Sequence, residues 1–330
     1  MATYGDISPR TAAFAIKQLL SRAHQDMVLE KFGSAQTLPS NSTKTAKFRR
    51  YNALAISTTP LSEGVAPSGT PMTVTDVSVT LEQHGAYVPT TDVIADTHED
   101  PVLSELTSGL IPQQAAETIE TIRYGVLKAG TNKFFAGGVV DRASVAAVFD
   151  LKLQRKIVRS LKRQNARKIT KVIKASVNLA TEPVAASYVC VIHPDLEPTI
   201  RGLAGFVPIE KYAGITPFES ELGKVEDVRY ITSTLNSAYA NAGAAPGADL
   251  VSTGGAKADV YSMLFLGADA YGIIALKGKF AAEIFVANPR PTPGVDPLAQ
   301  QGSVGWKTMQ GAVILNDLWM AVAEVGAPAL

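Results

Sequence analysis

The chain of 330 residues contains a single cysteine, Cys190, so no disulfide can form within it. In YVCVIHP that cysteine sits in an apolar run, where a thiol is expected to be buried and inert. Long apolar runs are also missing. The most apolar stretches, YSMLFLGADAYGIIAL (261–276) and AVILNDLWMAVAEV (312–325), are interrupted by Asp269, Asn316, Asp317 and Glu324 and are too short to span lipid. The opening MATYGDISPRTAAF has no apolar signal-peptide core. These absences lead to the expectation of a chain folded in a reducing, cytoplasm-like compartment with no membrane partner, where the sequon Asn41-Ser42-Thr43 has no meaning.

Charge of one sign is lacking too. With 31 Lys and Arg against 30 Asp and Glu, the net charge of +1 gives no global attraction to nucleic acid or membrane, so any such affinity must be local. The 46% apolar content describes an ordinary folded protein of one large domain or two interleaved ones.

Catalytic signatures are absent as well. Gly272 stands one position too early for a phosphate loop ending in Gly278-Lys279, no GxGxxG opens a helix, and Gln301 breaks the nucleophile-elbow pattern around Ser303. His24, His84, His98 and His193 are scattered without metal-ligand spacing. His98, Glu99 and Asp100 are adjacent, which points them in different directions and suits an acidic helix start better than a metal site. His193 and Asp195 have no accompanying nucleophile, and a strand ending at Pro194 with Asp195 capping a short helix is the simpler reading. The expectation is a protein that is not an enzyme, with no catalytic, cofactor-binding or metal residues and no cofactor.

What is present begins with STTPLSEGVAPSGTPM (57–72), sixteen residues of mostly Ser, Thr, Pro and Gly. KFRRYNALAI precedes it, and in TVTDVSVTLEQHGAYV after it Val77, Val79 and Leu81 alternate with Asp76, Ser78, Thr80 and Glu82. That alternation is the period of a half-buried strand. The pattern predicts a hairpin, yet hairpins usually turn in two to five residues, and a long connection in a folded domain generally has a function.

Helical signals lie on both sides. Ser8, Pro9 and Gly33 punctuate a first helix with an apolar stripe of Ile16, Leu19, Leu20, Ala23 and Met27, followed by polar, extended TLPSNSTKT. Asp100-Pro101 starts a second, whose apolar spacing from Val102 through Leu110, Ala115, Ile119, Ile122 and Val126 reaches Gly130, with Pro112 expected to kink or split it. A third is predicted from about Asp150 to Lys174. Short β runs with turn punctuation follow, and the class is α+β.

The third predicted helix is unusual. Ten of the 23 residues from Lys152 to Lys174 are Lys or Arg and none is acidic. Leu153, Ile157, Leu161 and Ile169 give it an apolar side, while Arg155, Arg159, Lys162, Arg163 and Arg167 crowd the remainder. A solvated face normally mixes signs, so this one suggests an anionic neighbour: nucleic-acid phosphates, or an acidic surface of another subunit, with simple solvation as the bland alternative.

Five stretches in order, DISPRTAAFA, KFRRYNALAISTTPLSEGV, DVIADTHEDPVL, GKVEDVRYI and VGWKTMQGAVILN, resemble a family of tailed-bacteriophage major capsid proteins typified by the N-four-like phages. The resemblance runs from residue 4 to about 325. It implies the tailed-phage capsid fold: an N-terminal arm (1–45), an extended β-hairpin loop (46–90) lying over the adjacent subunit, a peripheral domain with a long spine helix (91–149 and 279–330), and an axial domain (150–278). It also implies a structural shell subunit forming hexamers and pentamers around packaged double-stranded DNA, contacted non-specifically. Further implied partners are a portal, a separate scaffolding protein because the arm is short, and in some relatives a decoration protein. The location implied is the virion, after assembly in the bacterial host cytoplasm. Pro60, Glu63, Gly64, Pro67 and Gly69 then become the candidate intersubunit loop, and Arg155, Arg159, Lys162, Arg163 and Arg167 the candidate genome-facing or intersubunit cations. No lysine occurs between Lys47 and Lys128, so cross-linking through a loop lysine is not available. A dedicated nucleic-acid-binding protein using residues 152–174 is the alternative, against which the near-neutral charge counts.

Overall fold

The computed structural model describes residues 27–39, 41, 43–61, 63–64, 66, 68–93, 109–173, 181–212, 216–247, 249–276, 282–287, 289, 296 and 298–329. Most of the predicted first helix lies outside them, as do Asp100-Pro101, Val102, Leu103, Leu106, His24, His98 and Pro67.

Strand β7 (Thr181–Ile192) ends in the uninterrupted apolar run YVCVI, and its two faces enter different cores: Tyr188, Cys190 and Ile192 one, Val189 and Val191 the other. A continuous run is what a strand covered on both sides requires. It lies within an eight-stranded mixed sheet of order β5 (Lys133–Phe135), β15 (Met320–Gly326), β11 (Val260–Leu266), β7, β10 (Val228–Thr232), β9 (Glu221–Val225), β8 (Phe206–Pro208), with β6 (Ile169–Ile173) also paired to β7.

Helix α2 (Leu151–Arg163) covers one face, burying Leu153, Ile157 and Leu161 against Tyr188, Tyr230 and Phe265. Asp150 caps it by accepting from the Leu153 amide at 2.8 Å. The helix was expected to run to Lys174 but ends at Arg163. Asn165 takes a left-handed φ of 53°, and the β-branched ITKVI beyond it forms strand β6.

The second sheet has five strands in the order β1 (Ser34–Leu38), β12 (Tyr271–Leu276), β14 (Gln301–Ile314), β13 (Glu283–Ala287), with β4 (Glu82–Thr91) along the other edge of β14. Its membership crosses the boundaries expected from sequence. β1 falls within the expected arm and β12 within the expected axial segment, yet both join this sheet. β5 and β15 of the expected peripheral segments pair instead in the eight-stranded sheet. Strand pairing joins segments far apart in the chain, so linear boundaries do not follow it. The predicted helix over 8–33 is also corrected at its end: within the described residues, Leu29–Lys31 is one 3-10 turn that leads directly into β1.

Helix α1 (Ile111–Lys128) joins the two sheets. Near its start Ile111 and Ala115 pack on Val304 and Trp306 of the five-stranded sheet. Near its end Tyr124 and Leu127 pack on Val189, Leu264 and Val322 of the eight-stranded one. Pro112 does not break this helix, because it stands in the first turn, where an amide has no helical partner. Among the described residues no helix is long and apolar enough to cross a membrane.

Between its two apolar ends α1 buries Glu120 and Arg123, whereas Ile122 and Val126, expected on the buried stripe, are only half-covered. Glu120 Oε1 accepts the amides of Val28 (3.1 Å) and Leu29 (3.0 Å). Arg123 donates to Glu30 (3.3 Å) and to Gln310 of β14 (2.8 Å). Burial pushes the Glu120 carboxyl up to about 7, outweighing the Arg123 guanidinium and the two amides.

A carboxyl whose pKa is higher folded than unfolded favours the fold while protonated, and that contribution is lost as pH rises from about 4.5 through 7. Denaturant unfolding at pH 5 and pH 8 is expected to show wild type losing about 2 kcal/mol relative to Glu120→Gln over that interval. Parallel pH profiles for the two proteins would show that Glu120 does not titrate in this way.

Candidate assembly surfaces

Strands β2 (Thr45–Tyr51) and β3 (Val74–Thr80) pair antiparallel from Thr45 opposite Thr80 to Tyr51 opposite Val74. The ladder closes with the Asn52 amide donating to the Thr73 carbonyl at 3.0 Å. Arg49 forks onto Asp76 with two contacts of 2.8 Å, which holds the Asp76 carboxyl below the usual range.

The base of this hairpin is anchored. Val79 and Leu81 pack with Phe48, Leu38 and Ile274. Gly272 makes room for the Phe48 ring, since a Cβ there would fall 2.7 Å from Phe48 Cζ. Beyond Leu81 the chain changes sheets, and β4 pairs with β14.

The tip is not anchored. Every described residue from Ala53 to Val74 is exposed, including Pro60, Glu63, Gly64 and Gly69. Gly64 has φ +78°, and no atom lies within 4 Å of a Cβ built on it or on Gly69. Apolar side chains are exposed along the same excursion: Ile56 is 89% and Leu61 75% accessible, and Tyr51, Leu54 and Met72 are open as well. These residues escaped the sequence reading, although Leu54 and Ile56 stand at the two-residue spacing of a strand. A two-stranded ribbon with so little to pack on is marginal alone. Its exposed apolar surface suits another molecule.

The basic residues separate into two groups. The two-residue turn Glu226-Asp227 between β9 and β10, with Glu226 at φ 51°, lies beside one flank of α2. There Arg155 meets Glu226 at 2.6 Å and Lys162 meets Asp227 at 2.5 Å, while Lys168 reaches Asp227 at 2.8 Å. The anionic neighbour expected for Arg155 and Lys162 is therefore within the chain. Arg159 and Arg163 are exposed on α2, and Arg167 is exposed beyond the helix, in the extended segment before β6.

Among the described residues considered for catalysis, Cys190 stands apart from the adjacent pair His193 and Asp195. Cys190 is fully buried, and burial pushes its thiol well up. His193, rather than Asp195, caps the short turn by accepting the Asp195 amide at Nδ1 (3.2 Å). The Asp195 carboxylate lies 3.2 Å from the same His193 Nδ1 and also accepts the Tyr261 hydroxyl at 2.6 Å. Burial lowers the His193 pKa. Among the described residues no three His, Cys, Asp or Glu side chains are grouped to hold a metal ion.

No protein-family model matches the sequence, and no curated protein matches it. Solved structures do match its fold. The chain is similar to one in the capsid of Ralstonia phage GP4, with a TM-score of 0.67 at 12% identity, covering 89% of this chain and 87% of that one. It is also similar to a chain in the head structure of Helicobacter pylori bacteriophage KHP40, with a TM-score of 0.60 at 11% identity and coverages of 89% and 87%. A third likeness is to the mature capsid of bacteriophage PhiM1, with a TM-score of 0.55 at 14% identity and coverages of 89% and 86%. The chain thus has the tailed-phage capsid fold over nearly its whole length.

If the hairpin tip serves a neighbour, replacing residues 57–72 by an Asn-Gly turn is expected to leave circular dichroism and thermal unfolding unchanged while light scattering shows no assembly, since loop closure entropy varies slowly with length. Normal assembly of the shortened protein would exclude a clasping role. An unfolded product would assign the loop to its own subunit's core.

Proposed function

We propose that this chain is the repeating structural subunit of a tailed-phage head, forming hexamers and pentamers of a shell that encloses double-stranded DNA. The observation that carries the proposal is the hairpin, anchored at its base and exposing Leu54, Ile56, Leu61 and Met72 at its excursion, on a fold shared with phage capsid chains. Among the described residues of one copy nothing buries that surface. In a ring each copy donates a hairpin and receives one, a heterologous contact that closes on itself.

In this reading residues 46–90 form the extended loop and α1 the spine of a peripheral domain. The segment 150–278 supplies most of an axial domain, with residues 1–45 as the arm. The five stretches quoted above support kinship with the capsid proteins of N-four-like phages. The partners are further copies, a portal, a separate scaffolding protein, the packaged DNA and, in a decorated head, a decoration protein. Assembly takes place in the bacterial cytoplasm and the product resides in the virion. The protein works without catalysis. A dedicated nucleic-acid-binding function is weaker, because Arg155, Lys162 and Lys168 are matched by carboxylates of the same chain.

Negative-stain microscopy of the protein, produced alone and with the products of neighbouring head genes, is expected to show rings or closed shells. A folded monomer at high concentration in both preparations would overturn the proposal.

A further inference from the structure

The solvent side of α2 carries one charge sign only. At 100° per residue, Lys152, Lys156, Arg159 and Arg163 fall within about 60° of one another, on the side away from Leu153, Ile157 and Leu161. All four are exposed. The row extends for about 16 Å at 1.5 Å per residue. Arg155 and Lys162 occupy the neighbouring flank and are the ones that meet Glu226 and Asp227. Among the described residues, carboxylates meet the one basic flank, and no ion pair joins a carboxylate to Lys152, Lys156, Arg159 or Arg163. Lys156 lies 5.8 Å from the Phe134 ring, a contact that fixes its position without neutralising it.

We propose that this row, Lys152, Lys156, Arg159 and Arg163, binds the phosphate backbone of nucleic acid without reading sequence. The inference rests on the shell function and assigns the packaged DNA a surface on the subunit. Charge complementarity favours DNA over a second copy of the chain. No helix or strand among the described residues carries more than two carboxylates, and the pair beside α2, Glu226 and Asp227, is already engaged. Duplex DNA presents one negative charge per about 1.7 Å of axis, so a 16 Å row faces on the order of ten phosphates. Four cations on a rigid helix with no base-reading partner can position a duplex but not specify it.

The test uses the full chain and a random-sequence duplex of about 30 base pairs, with affinity followed by fluorescence anisotropy from 50 to 200 mM salt. Lys152→Gln, Arg159→Gln and Arg163→Gln together are expected to lower affinity at least tenfold and to reduce the slope of log affinity against log salt by about three, near 0.9 per lost phosphate contact. Arg155→Gln with Lys162→Gln is expected to retain the wild-type slope. Equal slopes for wild type and the triple variant, or no binding by wild type, would overturn the proposal. So would a triple variant that binds DNA normally but no longer forms capsomers, because the row would then contact protein. Shells are scored separately by microscopy. Row-dependent DNA binding without shells from any variant would support this inference and overturn the shell reading.

Discussion

Two sheets of different strand order share one helix, and their relative placement depends on how α1 is buried. Ile111 and Ala115 belong to one core and Tyr124 and Leu127 to the other, with Glu120 and Arg123 between them. Those two charges are not incidental to the packing. Glu120 satisfies the amides of Val28 and Leu29 where the chain enters β1, and Arg123 reaches β14 through Gln310. A buried carboxylate and guanidinium are costly unless their hydrogen bonds are made, so helix, N-terminal segment and sheet must come together as a unit.

The hairpin extends from this unit as a consequence of how the five-stranded sheet is built. Phe48 over Gly272 and Leu81 against Ile274 secure its base, after which β4 returns to pair with β14. Among the described residues nothing comparable covers those between 53 and 72. A segment whose apolar side chains lack cover within its own chain gains stability by association.

Electrostatics on α2 follow a similar division between what one chain completes and what it leaves open. The Glu226-Asp227 turn is a tight connection in which Glu226 accepts a left-handed backbone, and its carboxylates neutralise the adjacent flank of the helix. The sequence suggested an outside anionic neighbour or plain solvation for this face because the matching acids lie more than sixty residues away in sequence.

Local signals were legible in the sequence. The alternation of Val77, Val79 and Leu81 announced a strand, the Ser, Thr, Pro and Gly run an excursion too polar to fill a core, and Leu153, Ile157 and Leu161 the apolar side of a helix. Five ordered stretches carried the resemblance to capsid proteins. These features depend on near neighbours, whose period of two or 3.6 residues is written directly in the chain. Tertiary structure alone decided that residues 34–38 become a sheet strand beside Tyr271–Leu276. It also decided that Glu120 and Arg123 enter the buried stripe in place of Ile122 and Val126, and that Arg155 and Lys162 find their acids at home. Each of those outcomes depends on a partner distant in sequence, and side-chain polarity alone cannot reveal a buried charge whose hydrogen bonds are supplied from elsewhere in the chain.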